Sequence, residues 1–174
     1  MDWRVLLTDG YGRTLEVLAR VLKGLTLDDL KWQPSADTNS IGWLTWHLTR
    51  IQDDHIASLM GEEQLWIKAG WYAKFNRPPD VKDLGFGNTP EQVAAFAADG
   101  ETLLAYHRAV LARSKDYFLT LSDSDLDREL DEPRYQPLPT VGVRLISILA
   151  DNLQHAGQAA YVRGLLQGRG WQRY

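Results

Sequence analysis

Residues 140–168 read TVGVRLISILADNLQHAGQAAYVRGLLQG, and they decide the fold class. Thr140 is a helix-capping residue type and Gly168 a helix-ending one. Between them apolar residues return every three or four positions, the period of an amphipathic helix. Val143, Ile146, Leu149 or Ala150, and Leu153 mark the stripe expected to face a core. Two polar residues interrupt this run: Asp151 and His155, four apart, share one face of the helix.

Outward from this segment the chain yields three more long helices. Leu7, Tyr11, Leu15, Leu18 and Leu22 recur at helical steps, predicting a first helix from Trp3 to about Leu25. The following LTLDDLKWQPSADTNS carries Pro34 and several capping residues, so it reads as a connection with one short helical turn. A second helix starts after Asn39 or Ser40 and stops at Gly61. Residues 62–88 mix aromatics with Gly and Pro without sustained period, as functional covers often do. Thr89-Pro90-Glu91-Gln92 is a strong helix start, predicting a third long helix to about Leu121 with Gly100 as a bend. SDSDLDRELDEPRYQPLP then reads as a helical turn followed by an extended connection. No strand pattern or internal repeat is visible. The expectation is an all-α four-helix bundle with long crossover connections, in one domain over residues 1–174.

Composition narrows the function classes. The net charge of −4 comes without any basic cluster, so a nucleic-acid partner is not expected. No window approaches the ~20 apolar residues of a membrane span, and the N-terminal stretch lacks a signal-peptide core. A cytoplasmic protein is the expectation. With no cysteine, any metal must be held by His, Asp or Glu, and any thiol in the chemistry must come from another molecule.

The histidines carry the chemical signal. His47 lies in the apolar run Ile41–Leu48, as a core histidine bonded to a backbone carbonyl or as a metal ligand. Asp151 and His155 can both reach one ion, or can form a hydrogen-bonded pair at the edge of the bundle. Burying them unpaired costs several kcal/mol, so a partner is expected. A facing His47 would complete a two-histidine, one-carboxylate set with a coordination position left open. Asp54 lies close to the azimuth of His47, roughly 10 Å along the axis, as a base, a second-layer acceptor or a solvated helix end. His55 lies further round, and His107 reads as a surface or boundary residue. Gly85-Phe86-Gly87 has no strand before it, so a nucleotide loop is not expected.

Three segments carry a family likeness: LTLDDLKWQPSADTNSIGWLTWHLTR (residues 25–50), the crossover that follows, and LADNLQHAGQAAYVRGLL (residues 149–166). They resemble the DinB/YfiT-like superfamily of four-helix metalloproteins. The resemblance implies a divalent metal, zinc or nickel, held by a histidine of the second helix and two ligands four residues apart on the fourth. Carried over, these are His47, Asp151 and His155. Asp151 departs from the family, where His or, as in mycothiol-dependent maleylpyruvate isomerase, Glu stands. Asp is one methylene shorter than Glu, so a small helix shift or a bridging water would close the gap.

The same resemblance implies a thiol-dependent S-transferase or isomerase using mycothiol or bacillithiol on a small-molecule electrophile, and a homodimer using apolar surface of the Trp-bearing helices. Metal-dependent hydrolysis, and a non-catalytic ligand-binding or stress-associated bundle, are the alternatives. The chain ends at Tyr174, without the extra domain of the maleylpyruvate isomerase relatives, so a different reaction is expected. Trp66, Trp71, Tyr72 and Phe75 either wall the substrate or pack over the bundle.

Overall fold

A computed structural model describes residues 2–171; the chain end at Tyr174 lies outside them. The chain forms α1 (Trp3–Leu22), the short α2 (Leu27–Lys31), α3 (Ile41–Met60), the single turns α4 (Leu65–Lys68) and α5 (Trp71–Lys74), α6 (Pro90–Ala95), α7 (Gly100–Thr120) and α8 (Val141–Gln167). Asp2, Ser40, Asp99 and Thr140 cap the four long helices, each side chain accepting a backbone N–H from the first turn. Such a cap contributes about 1 kcal/mol and fixes where the helix begins. Among the described residues the one β-type pairing is a bridge between Glu129 and Thr140.

Contacts set the helix directions. Gln52 meets Asn152 and His55 meets Arg144, so α3 and α8 are antiparallel. Tyr11 donates to the Leu145 carbonyl and Arg163 to those of Arg20 and Val21, so α1 and α8 are parallel. Thr49 contacts His107, and Tyr117 donates to the Leu59 carbonyl, so α3 and α7 are parallel. The bundle therefore runs up, down, down, up. Two successive parallel helices require a return along the bundle's length, which explains the long crossover over residues 61–99.

A buried ion pair anchors that crossover. The Asp53 carboxylate accepts the backbone N–H groups of Leu65 and Trp66 at 2.9 and 2.8 Å and the Tyr106 hydroxyl at 2.7 Å. Arg50, equally buried, donates to the carbonyls of Asp83 and Val81 and to Gln64 Oε1, and stacks on Trp66. Removing one member of such a pair costs roughly 3–5 kcal/mol. Trp66, Trp71 and Phe75 are buried in the core with Trp43, Trp46, Phe96 and Tyr106, so they pack over the bundle and do not wall a substrate site. Trp43 and Trp46, buried here, offer no surface to a partner.

Four expectations need correction. The first helix ends at Leu22, where Lys23 turns extended. The run from Thr89 is two helices, because Phe96 turns extended to bury its ring beside Trp46, and Asp99 caps a new start. The inward face of α8 is Val141, Leu145, Ile148, Asn152, Ala156 and Ala159. Val143, Ile146 and Leu153 are instead 58, 56 and 43% exposed. The helix carries apolar residues on both sides, and its inward polar residue, Asn152, donates to Gln52 on α3, so pattern alone chose the wrong side.

His107, read as a surface or boundary residue, is fully buried, with Nδ1 on Thr49 Oγ1 at 3.1 Å. Thr49 donates its own proton to the Thr45 carbonyl, so it accepts from His107. Burial holds the imidazole neutral and lowers its pKa to about 4. The unfolded chain binds this proton near pH 6.5. The neutral histidine's contribution is thus complete above pH 6.5 and lost progressively as pH falls to about 4. Denaturant titrations across this window should show wild-type stability falling by on the order of 3 kcal/mol, and His107→Gln falling measurably less.

Candidate metal centre

The first half of α3 and the middle of α8 bring His47, Asp151 and His155 together. One candidate ligand atom from each lies within 4.8 Å of the others. His47 and His155 meet edge to face, with ring centroids 4.9 Å apart. His47 is buried, whereas Asp151 and His155 are partly open to solvent.

Each histidine has one nitrogen already committed. His47 Nδ1 donates to the Leu84 carbonyl, leaving the Nε2 lone pair free. His155 Nδ1 contacts Gln158 Oε1 at 2.7 Å, which makes it the donor and again frees Nε2. Metal-binding imidazoles are oriented in this way, through an outer hydrogen bond that fixes the tautomer. The His47 ring also lies flat against Trp43, with 4.7 Å between centroids and 13° between planes, and meets the edge of Phe86.

Asp151 supplies the observation that decides the fit. Its Oδ1 sits 3.5 Å from His155 Nε2, as an edge pair would require. Its Oδ2 is buried and has no hydrogen-bond partner among the described residues. An unpartnered buried carboxylate oxygen is costly, and a cation shared with two imidazole nitrogens would satisfy it. The two imidazoles differ in protonation. Burial, partly offset by the Leu84 bond, lowers the His47 pKa and favours the neutral, ligating form. The hydrogen bond to Asp151, against the opposing effect of burial, raises that of His155, so a metal ion would compete with a proton there.

Gly85 makes the arrangement possible. Its φ of +92° lies in the left-handed region, and a Cβ there would fall 2.7 Å from the Trp43 ring, 3.0 Å from Trp46 and 3.1 Å from His47 Nδ1. The Gly-Phe-Gly stretch is thus a packing surface for His47, a role its sequence did not suggest. Asp54 accepts a 2.6 Å hydrogen bond from Gln64 and lies 3.7 Å from His55, and burial raises its pKa. Its neighbour Asp53 is the buried anchor of the crossover.

Fold and donor set together define a four-helix-bundle protein with two imidazoles and a carboxylate able to hold a metal ion. The chain belongs to the DinB superfamily, whose sequence profile matches residues 11–159. It is similar to a conserved protein from Enterococcus faecalis of known crystal structure, with 29% sequence identity and a TM-score of 0.88 over 97% of this chain and 99% of that one. No curated protein matches it.

Two substitutions separate packing from ligation. Gly85→Ala should destabilise the fold by about 1–3 kcal/mol and reduce metal content, through displacement of His47. Asp151→Ala should leave the melting temperature of metal-free protein near wild type while lowering bound metal measured by elemental analysis. Asp54→Ala should retain metal. Equal retention in the two Asp variants would remove Asp151 from the ligand set.

Proposed function

We propose that this protein is a divalent-metal-dependent transferase joining a low-molecular-weight thiol, of the mycothiol or bacillithiol kind, to a small electrophile. The unpartnered Asp151 Oδ2 beside two oriented imidazoles carries this reading. His47, Asp151 and His155 would hold the ion, and a nitrogen-rich set with one carboxylate suits zinc or nickel. Such an ion, when bound, lowers the pKa of an arriving thiol.

The chain's own residues do the rest. Leu84 and Gln158 keep both free imidazole nitrogens aimed inward, and Trp43 excludes water from one face of His47. The partly open side at Asp151 and His155 admits the substrates. As the carbon–sulfur bond forms, the electrophile's leaving group departs with the electron pair of its bond to carbon, and the proton of the thiol's S–H must be taken up. Asp54, two turns along α3 and with its pKa raised, is the proton holder we assign. Reduced thiols of this kind are cytoplasmic, and we place the protein there.

We also propose a homodimer. Ile146, Ala150, Leu153 and Tyr161 form an exposed stripe on the side of α8 away from His47. A second copy would cover it without closing the site.

Protein purified without added metal should contain close to one equivalent, and His47→Ala far less. Chelation should lower the melting temperature of wild type only, and turnover of a chromogenic electrophile with thiol should follow metal content. Equally little metal in both proteins, with no response to chelation, would sink the reading. Leu153→Glu should sediment as a monomer with unchanged metal content; a monomeric wild type would end the dimer proposal.

A further inference from the structure

Beside the donor set a groove of about 600 Å³ runs along α8, with His55, Phe86, Arg134, Arg144 and Ser147 in its lining. Its placement relative to the metal residues follows from helix geometry. Phe86 touches the His47 ring. Ser147 lies one turn before Asp151, and Arg144 about 10 Å before it along the axis. The groove therefore has one end at the imidazoles and the other at a guanidinium.

Arg144 is built in rather than draped on the surface. It is 8% exposed, on the flank of α8 facing α3. Its Nη2 bonds Glu132 at 2.5 Å, and its Nη1 lies 3.0 Å from His55 Nδ1. Arg134 approaches the same Glu132 oxygen at 3.6 Å. Two guanidinium groups thus share one carboxylate. Other acids stand outside the groove: Asp54, held by Gln64 beside His55, Asp131 in an adjoining hollow, and Asp151 at the metal residues. The His55 ring, desolvated and next to Arg144, has its pKa lowered and offers Arg144 only a lone pair. The lining of the groove itself carries two guanidinium groups and no carboxylate, and a planar carboxylate pairs most strongly with a guanidinium.

We infer that this groove binds a carboxylate-bearing small molecule, with Arg144 and Arg134 receiving the carboxylate and the other end of the molecule at His47, Asp151 and His155. Glu132 occupies part of this position when no ligand is bound and yields when one arrives. The inference names a substrate class for the reaction proposed above and rests on that reading only for the chemistry at the far end. The carboxylate can belong to the thiol or to the electrophile.

Three probes test it on the full chain: succinate, mercaptosuccinate and 2-mercaptoethanol, titrated calorimetrically without metal and with zinc added. Succinate should bind the metal-free protein, and Arg144→Gln should weaken it roughly tenfold or more. Arg134→Gln should weaken it less. Glu132→Gln, by removing the internal competitor, should tighten it severalfold. Should Arg144→Gln lose helical circular dichroism, Glu132→Gln and Arg134→Gln on the loop carry the test alone. These succinate titrations are run without metal, so failure of the metal reading leaves their result standing. With zinc, a gain of mercaptosuccinate over succinate supports the groove with the carboxylate on the thiol. Equal binding supports it with the carboxylate on the electrophile, provided that 2-mercaptoethanol does not displace either. Succinate affinity insensitive to both Arg144→Gln and Glu132→Gln, or absent from wild type and Glu132→Gln alike, overturns the inference.

Discussion

The buried pair of Arg50 and Asp53 is the constraint on which the rest of the architecture depends. An up-down-down-up bundle needs a long crossover, and a long crossover needs a reason to lie still. Asp53 ties down its beginning at Leu65 and Trp66, and Arg50 holds its later part at Val81 and Asp83. The next residue, Leu84, gives its carbonyl to His47, and Gly85 packs beneath the same ring. Arg50 stands three positions after His47 on α3. One turn of helix thus anchors the chain segment that orients the histidine of the turn before it.

The polar interior extends this logic across the bundle. Gln52 bonds Ser114 on α7 and receives Asn152 from α8, while Thr49 accepts from His107. Polar bonds of this kind have directions that apolar packing lacks. They set the register between α3 and α8, and with it the height at which Asp151 and His155 meet His47. A core of leucines would have tolerated sliding; this one does not.

What the sequence made legible follows the same division between local and distant effects. Ser40 with Gly61, and Thr140 with Gly168, bounded α3 and α8 correctly because caps act within a few residues. The four-residue spacing of Asp151 and His155 was likewise local, and only the likeness to a family brought His47 opposite them. Illegible parts depended on remote partners. His107 looked like a surface or boundary residue because its acceptor, Thr49, lies on another helix. The inward side of α8 was misjudged because Asn152 is polar in sequence yet buried, its amide donating to Gln52 on another helix. Arg50 and Asp53, an i,i+3 pair in an apolar run, carried a readable hint, but nothing local announced that their partners would be backbone groups of the crossover.

The bond from His47 to Leu84 has a further consequence. Its acceptor is main chain, so it belongs to the fold and not to any one amino acid. Evolution can change residue 84 widely without deleting the acceptor, whereas the neighbouring glycine has no such freedom. Sequence drift in this loop should therefore be lopsided: permissive at the position that makes the contact, and strict at the one that makes room for it.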